Sequence, residues 1–291
     1  MLKGIRTRII SSAAAALVAV MSVSSVCAYA AGGVAVNSKN FPDKAFREYV
    51  LEKIDTDGDK KLSDDEIGNA KRIYVNGKGI SSLKGIEKLT ALEYINCNEN
   101  SLTSLDLSKN TELVDIFCSD NDLTSLNVSK CKKLERLICF ENELKALDVS
   151  KNTALVRIDC SSNRITSLDF SKNPALTSIE CGKNKLIYLN VKKNTALEYL
   201  ECRINMLTSL ELPESSKLSV YVDRQQRAIK LTDGKFNLSS LKGFDVKKAS
   251  GWKGGKVSGS TLTVDSSAEE VTYTYDIGGG KTVEYKLVIK R

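Results

Sequence analysis

Residues 91–216 read ALEYINCNENSLTSLDLSKNT, ELVDIFCSDNDLTSLNVSKCK, KLERLICFENELKALDVSKNT, ALVRIDCSSNRITSLDFSKNP, ALTSIECGKNKLIYLNVKKNT and ALEYLECRINMLTSLELPESS. This is one 21-residue pattern written six times without an insertion. Asparagine follows cysteine three residues later in every copy, and the cysteines are Cys97, Cys118, Cys139, Cys160, Cys181 and Cys202. A fixed period of this length indicates a solenoid in which each copy forms one turn.

Each copy predicts a short strand followed by a return segment. Ile95 and Cys97 stand two residues apart, which is the period of a strand with one buried side. Leucines such as Leu102 and Leu105 then point inward. The return segment is expected to form a short second strand or turn, because 21 residues leave no room for a long helix. Turns stacked about 4.8 Å apart would form one parallel sheet over a continuous core. The asparagine at the bend, such as Asn100, is expected to bond backbone groups of its own and the neighbouring turn.

The pattern LxxIxCxxNxLxxLxLSxN resembles the bacterial leucine-rich repeats of the internalin family, in their 21-residue, cysteine-containing form. The resemblance implies a leucine-rich-repeat solenoid of parallel strands with short convex segments and little helix. It also implies an EF-hand-like helical cap before the repeats, and a role in adhesion or recognition through the concave face of the sheet. Such repeats are scaffolds for many partners, so the ligand does not follow from the fold.

Residues 1–30 predict a secretory signal peptide. Three basic residues open the segment, residues 12–23 are mostly small and apolar, and Ala28-Tyr29-Ala30 supplies a small-x-small cleavage site. The apolar run is short for a membrane span. A lipoprotein alternative would use Cys27, but the three residues before it match a lipobox poorly. We therefore expect a secreted, extracellular chain, free or associated with the cell surface, with no membrane span after cleavage.

Residues 31–71 predict a helical cap that contains an EF-hand-like loop. Residues 40–54 have the apolar spacing of an amphipathic helix, and a second helix is expected from Ser63. Counted from Asp55, carboxylates occupy loop positions 1, 3, 5 and 12. Position 6 is Lys60 where glycine is usual, so a positive φ costs about 1 kcal/mol there. The predicted calcium ligands are Asp55, Asp57, Asp59, the backbone carbonyl of Lys61, Ser63 and Glu66.

This loop predicts one weak calcium site. We expect a Kd of about 10⁻⁴ to 10⁻³ M, which suits extracellular calcium. A cap that resembles an EF-hand without binding metal is the alternative. A cellulosome dockerin is also conceivable, but dockerins need two such loops and the sequence provides one.

Residues 72–232 are assigned to the repeats. A divergent first copy starts at Arg72 and has Val75 in place of the cysteine. In the last copy, counting by 21 places Asp223 at the cysteine position and Gln226 at the asparagine position. Terminal repeats are commonly atypical, because one side meets a cap or solvent.

Residues 233–291 predict a small antiparallel β domain. Apolar and polar residues alternate in three stretches, and Gly278-Gly279-Gly280 predicts a hairpin turn. Trp252 is expected to pack inside this domain.

Seven cysteines remain after the predicted cleavage, and we expect free thiols. Six occupy the same inward strand position, where stacked side chains run parallel and do not face each other as a disulfide requires. Cys131 replaces the asparagine found at Asn110 and Asn152, and is also expected to be buried. No CxxC spacing occurs, so metal binding by these cysteines is not expected.

The chain contains no histidine, which excludes Ser-His-Asp and Cys-His catalysis and histidine-ligated zinc. Asp159 with Glu180 on adjoining turns is the remaining carboxylate pair for glycoside hydrolysis, but acidic residues are common on solvated faces. Removing the three basic residues of the leader lowers the formal charge from +7 to +4, a mildly basic surface unlike that of a nucleic-acid binder. We expect a monomeric protein without enzymatic activity.

A binding surface is predicted on the concave face, from residues that flank the inward isoleucine and cysteine. Phe117, Ile138 and Phe140 would be neighbours on adjoining strands, with arginines beside them. Exposed aromatic residues with arginine on a rigid surface are typical of a hot spot. Scattered surface apolar residues, or partial cover by the caps, are the alternative. The candidate ligand-binding residues are Tyr94, Phe117, Arg136, Ile138, Phe140, Arg157 and Tyr199.

Two classes of ligand remain open for this face. The resemblance implies a host or neighbouring-cell surface protein. A glycan is the second hypothesis, with Tyr94, Phe117 and Tyr199 as stacking platforms. A long aromatic row would favour a sugar, whereas a compact cluster of aromatic residues and arginine favours a protein. The sequence shows more of the cluster.

Overall fold

The computed structural model describes residues 33–215 and 217–290, so the predicted signal peptide lies outside the described residues. No helix in these two ranges has the length and apolar character needed to cross a bilayer. The helices are α1 (Lys44–Lys53) and α2 (Asp64–Asn69), with 3₁₀ turns at Ile86–Lys88, Leu238–Ser240 and Val246–Lys248. The strands are β1 (Val34–Ala35), β2 (Lys61–Leu62), β3 (Arg72–Tyr74), β4 (Tyr94–Asn96), β5 (Asp115–Phe117), β6 (Arg136–Ile138), β7 (Arg157–Asp159), β8 (Ser178–Glu180), β9 (Leu189–Asn190), β10 (Tyr199–Glu201), β11 (Leu210–Glu211), β12 (Ser219–Tyr221), β13 (Gln226–Lys230), β14 (Lys235–Asn237), β15 (Ala249–Lys253), β16 (Gly255–Ser258), β17 (Thr261–Val264), β18 (Glu270–Gly278) and β19 (Lys281–Lys290).

One strand from each turn joins an eight-stranded parallel sheet, in the order β3-β4-β5-β6-β7-β8-β10-β12. The return segments form only short pairs, such as β9 with β11. The parallel-strand solenoid with little helix is therefore confirmed. Within this sheet, the middle residue of every strand except β12 is fully buried. These residues are Ile73, Ile95, Ile116, Leu137, Ile158, Ile179 and Leu200.

The cysteines form a row inside the solenoid, one residue after the strands. All seven in the described part of the chain are buried free thiols, as predicted. Burial disfavours the thiolate and raises every one of their pKa values, to about 12 at Cys118 and about 11 at Cys131. They act as small apolar core residues.

An asparagine ladder closes the bend after each strand. At Asn142, Nδ2 donates to the carbonyls of Cys118 (3.0 Å), Cys139 (3.3 Å) and Phe140 (3.3 Å). Its Oδ1 accepts from the Leu123 N–H at 3.0 Å. Each amide therefore binds its own turn and the preceding one, as predicted. The same four contacts recur at Asn121, Asn163, Asn184 and Asn205.

A second row of asparagines lies in the return segments. Asn152 Nδ2 donates to the carbonyls of Val128 (2.9 Å) and Cys131 (2.8 Å) in the preceding turn. Its Oδ1 is buried and has no hydrogen-bond partner in the described structure. Cys131 occupies this row, with Sγ 3.7 Å from the Asn110 carbonyl oxygen. The two-bond pattern recurs at Asn110, Asn173 and Asn194.

The last turn is one residue shorter than the regular turns, because Tyr199 of β10 pairs with Ser219 of β12 and a 21-residue period would place the pair at residue 220. Val222 therefore takes the cysteine position and is 7% exposed. Gln225 takes the asparagine position, where its Oε1 accepts from the Leu207 N–H at 3.1 Å. The prediction of Asp223 and Gln226 at these positions was wrong, because it assumed a constant period. The buried site takes an apolar side chain and not a carboxylate.

The helical cap packs on the first turn. Helix α1 follows Asp43, whose Oδ1 accepts from the Phe46 N–H at 3.1 Å, and it buries Phe46 and Val50. Gly85, which has φ +108°, lies directly against the Phe41 ring of the cap. A Cβ at Gly85 would lie 2.3 Å from Phe41 Cδ1. Only glycine fits at this joint.

The C-terminal module contains two small sheets, in the orders β13-β19-β18-β15 and β14-β17-β16. Strands β18 and β19 form the predicted antiparallel hairpin, with Gly278 paired to Lys281. Strand β13 precedes the predicted boundary at residue 233, yet pairs in parallel with β19. The Trp252 ring stacks on Tyr273 at 4.6 Å, and Tyr273 Oη donates to the Thr208 carbonyl at 2.8 Å. The module thus docks directly on the repeats.

Candidate recognition face and metal loop

The concave face consists of the first and third residues of the eight sheet strands, because these side chains point away from the buried middle residue. Parallel register places each of them beside its equivalent on the next strand. In strand order the pairs are Arg72/Tyr74, Tyr94/Asn96, Asp115/Phe117, Arg136/Ile138, Arg157/Asp159, Ser178/Glu180, Tyr199/Glu201 and Ser219/Tyr221.

Three aromatic rings cross strands β3, β4 and β5, and we call Tyr74, Tyr94 and Phe117 the aromatic ladder. Ring centroids are 5.0 Å apart for Tyr74 and Tyr94, and 5.4 Å apart for Tyr94 and Phe117. Tyr74 is 47% exposed, and the other two are half-buried. Ile138 pairs with Phe117 in the sheet register but is only 9% exposed. The ladder is therefore the main apolar surface at this end of the face.

Arginines border the aromatic ladder. Arg72 Cζ lies 4.6 Å from the centre of the Tyr94 ring, and its Nε donates to Tyr74 Oη at 2.9 Å. Such a guanidinium–ring contact is favourable because the ring face is electron-rich. Arg136 donates from Nε and Nη2 to both oxygens of Asp115, at 2.5 and 2.6 Å. The Arg136 charge is thus balanced by Asp115, and Arg72 supplies the net positive charge beside the ladder.

The other predicted residues, Phe140, Arg157 and Tyr199, lie apart from the aromatic ladder. Phe140 follows the strand, is half-buried and makes no ring contact within residues 33–215 and 217–290. Arg157 Nη2 donates to Glu180 Oε1 at 3.0 Å. The Tyr199 ring pairs with Tyr221 at the far end of the sheet, at 5.5 Å.

Sequence reasoning missed Tyr74, Arg72 and Tyr221, which belong to the divergent first and last turns. Aligning Arg72-Ile73-Tyr74 with Tyr94-Ile95-Asn96 would have placed Arg72 and Tyr74 on the concave face. The buried isoleucine at the centre of both stretches was the available signal.

A row of carboxylates lies at the other end of the face, at Asp159, Glu180 and Glu201. Burial, together with the charge of Asp159, raises the pKa of Glu180, while Arg157 opposes that change. Glu201 Oε1 accepts from Arg203 Nε at 2.8 Å. Asp159 and Glu180 are in register, as predicted for adjoining turns. A depression of about 350 Å³ adjoins the row and is lined by Ser161, Ser162, Glu180, Gly182, Lys183, Tyr199, Glu201, Arg203, Ile204 and Arg224.

The cap loop brings Asp55, Asp57 and Asp59 together, with one carboxylate oxygen of each within 4.8 Å of the others. Oxygens that bind one calcium ion at 2.3–2.6 Å are at most about 5 Å apart, so the spacing of the three aspartate oxygens fits a shared ion. Asp55 is 5% exposed, and its Oδ2 accepts from the Lys60 N–H at 3.0 Å. Lys60 adopts the predicted positive φ, +63°.

Glu66 and Ser63 form a separate hydrogen-bonded group in the same loop. Glu66 Oε1 accepts from the Thr56 N–H (2.5 Å) and hydroxyl (2.9 Å), and Oε2 accepts from the Ser63 N–H and hydroxyl, both at 2.9 Å. Burial raises the pKa of Glu66, but these hydrogen bonds outweigh it and lower the pKa to about 2. Glu66 would have to exchange some of these bonds to join the aspartates. Lys61, the predicted carbonyl ligand, lies in β2 and pairs with β1.

Comparisons with known proteins support the leucine-rich-repeat fold. No protein-family model matches the chain. Internalin J of Listeria monocytogenes serotype 4b (strain F2365) is 35% identical over 71 residues, covering 24% of this chain and 8% of internalin J. A leucine-rich-repeat protein of Leptospira interrogans superposes with a TM-score of 0.50 and 20% identity, over 58% of this chain and 51% of that one. The functional domain of InlJ from Listeria monocytogenes, which includes a cysteine ladder, superposes with a TM-score of 0.27 and 18% identity, over 89% of this chain and 99% of that domain.

The Leptospira structure shows the leucine-rich-repeat fold, and internalin J is similar in sequence over 71 residues. The chain matches less than a tenth of the length of internalin J. Six consecutive turns of the parallel sheet each place one buried cysteine, from Cys97 to Cys202, in a continuous row. The chain is an internalin-like leucine-rich-repeat protein with cysteine-containing repeats.

Proposed function

We propose that the protein is a secreted or cell-surface recognition protein, without catalytic activity, that binds a protein ligand on its concave face. The aromatic ladder carries this proposal, because three linked rings lie on a rigid sheet with one of them 47% exposed. Aromatic residues and arginine dominate the binding energy of protein interfaces. The internalin-like fold supports a role in protein interaction or adhesion. A host or neighbouring-cell surface protein is the proposed partner.

The arginine over the aromatic ladder favours a protein over a glycan. Sugars stack on an open ring face, and Arg72 covers one face of Tyr94. The rings are also inclined to one another, by 36° for Tyr74–Tyr94 and 37° for Tyr94–Phe117, so they do not form one flat platform. A glycan remains the second candidate because a second aromatic pair, Tyr199 with Tyr221, lies on the same face.

The double variant Tyr94→Ser/Phe117→Ser is expected to weaken binding to a protein ligand by about 30-fold or more, since each hot-spot residue contributes about 1–2 kcal/mol. The measurement is binding of the chain from Ala31 onward to panels of surface proteins and glycans, in calcium. Tyr199→Ser/Tyr221→Ser is the matched control, because it also replaces two paired aromatic rings on the same face by serine. Equal loss in both variants would argue against a localised site. Glycan hits without protein hits would reverse the choice of ligand.

We also propose that Asp55, Asp57 and Asp59 hold one calcium ion, with Lys61, Ser63 and Glu66 completing the site. The clustered aspartate oxygens support it. With a Kd of about 10⁻⁴ to 10⁻³ M, calcium at about 10 mM is expected to stabilise the fold by about 1–3 kcal/mol.

Thermal melting with and without calcium checks this prediction, and the expected rise in Tm is about 2–8 °C. The variant Asp57→Asn/Asp59→Asn should abolish the rise, because it removes two charged ligands at exposed positions and leaves buried Asp55 in place. A rise of the same size in that variant would show that calcium acts elsewhere.

A further inference from the structure

Strand β12 is the edge of the eight-stranded sheet, and its outer side is unpaired. The Ser219 N–H donates to the Glu198 carbonyl at 2.9 Å, and the Tyr221 carbonyl accepts from the Cys202 N–H at 2.8 Å. Both residues therefore use their backbone groups toward β10. Since successive residues of a strand alternate in direction, the N–H and C=O of Val220 point outward. No hydrogen bond from the described residues reaches these two groups.

The hydrophobic core is also open at this strand. The middle residues of the other sheet strands, such as Leu200, are fully buried. Val220 occupies the same position in β12 and is only half-buried. An edge strand with unpaired backbone groups and uncovered apolar surface is a template for another strand.

The space beside β12 is a cleft of about 470 Å³. Its opposite wall is the first half of β19, where Thr282, Val283 and Glu284 line the cleft. This part of β19 pairs with β18 on one side, while β13 begins to pair on the other side only at Lys286. The cleft is thus bounded by two strand edges, and Val220, Val222 and Val283 provide apolar surface between them.

We propose that this cleft binds an extended peptide segment of a partner protein, which adds a ninth strand to the solenoid sheet along β12. Main-chain hydrogen bonds to Val220 would supply affinity, and an apolar side chain facing Val220 and Val222 would complete the core. Because β19 bounds the other side of the cleft, the proposed occupant is an extended segment and not the edge of a folded sheet. This site is separate from the aromatic ladder and does not depend on it.

A fluorescein-labelled peptide with the sequence of residues 196–204 tests the proposal, with Cys202 replaced by serine. This stretch contains β10, which already pairs with the inner side of β12, so its residues alternate as a neighbouring strand requires. Fluorescence anisotropy with the full chain should show saturable binding. A control peptide that also carries Leu200→Pro should bind at least about 10-fold more weakly, because proline disrupts a strand.

Variants of the protein separate the strand edge from other surfaces. Val220→Pro removes the outward N–H and leaves the bonds of Ser219 and Tyr221 to β10 intact, so it should weaken binding at least about 10-fold. Val220→Ala keeps the N–H and should stay within about 3-fold of wild type. Thr282→Trp fills the cleft from β19 without changing β12, and should also abolish binding.

Several results would overturn the proposal. These are an absence of saturable binding at about 1 mM protein, equal binding to wild type and Val220→Pro, and equal loss in Val220→Ala and Val220→Pro. Sedimentation that shows self-association of the wild type, abolished by Val220→Pro, would assign the edge to a second copy of the chain and not to a partner peptide.

Discussion

Replacing Asn142 with alanine is expected to lower the free energy of unfolding by about 3–5 kcal/mol, measured by urea denaturation under reducing conditions. The substitution removes four hydrogen bonds and leaves the Leu123 N–H and the Cys118, Cys139 and Phe140 carbonyls without the side chain that serves them. Buried backbone groups without partners are costly, because water cannot replace the lost contact.

Two other asparagines provide graded controls for this experiment. Asn152 makes two hydrogen bonds through Nδ2 and none through Oδ1, so Asn152→Ala should cost about 2 kcal/mol. Asn127 is exposed and accepts one bond from the Ser129 N–H, so Asn127→Ala should cost less than about 0.5 kcal/mol. Equal losses at Asn142 and Asn127 would contradict the structural role of the ladder.

Gly85→Ala is expected to destabilise the joint between the cap and the repeats by about 3 kcal/mol or more. The new Cβ would lie 2.3 Å from Phe41 Cδ1 and 2.7 Å from the Asn40 carbonyl oxygen, and the Phe41 side chain is fully buried. Thermal melting measures the loss. Limited proteolysis should show cleavage within the cap before the repeats.

Gly79→Ala is the matched control for this substitution. Gly79 also has a positive φ, +64°, but a Cβ there meets no atom within 4 Å. Its expected cost is about 1 kcal/mol, the cost of backbone conformation alone. If the two variants lost equal stability, the contact between Gly85 and Phe41 would contribute nothing.

The repeats could be predicted from the sequence because their signal is local and periodic. Ile95 and Cys97 stand two residues apart, as buried residues of a strand do, and six copies repeat this spacing. The strand, its buried side and the asparagine contacts can therefore be predicted together. The last turn departed from the prediction because one residue is missing between β10 and β12. A fixed count cannot detect such a deletion. The position of the deletion could have been found by asking which side chain suits the buried site, since Val222 is apolar and Asp223 is charged.

The recognition face was predicted only in part, for two physical reasons. The alternation of inward and outward side chains predicts their direction only within a strand. Strand β6 ends before Phe140, and the chain turns at the next residue, Glu141, which has φ +51°. Phe140 therefore does not join Phe117 as a ring pair. The divergent first turn hid Tyr74, which completes the aromatic ladder. The pairing of β13 with β19 was not predicted, because it joins parts of the chain that are distant in sequence and no local pattern indicates it.

The asparagine ladder also gives the solenoid a direction that matches the order of synthesis. Each ladder amide binds its own turn and the turn before it, never the turn after it. A chain that emerges from the ribosome N-terminus first therefore already contains every hydrogen-bond partner of the newest ladder amide. The ladder amide of each turn can therefore bind as soon as that turn has formed, whereas the Cys139 N–H is paired only when the next turn provides the Asp159 carbonyl. The helical cap, which is synthesised first, serves as the foundation for this growth.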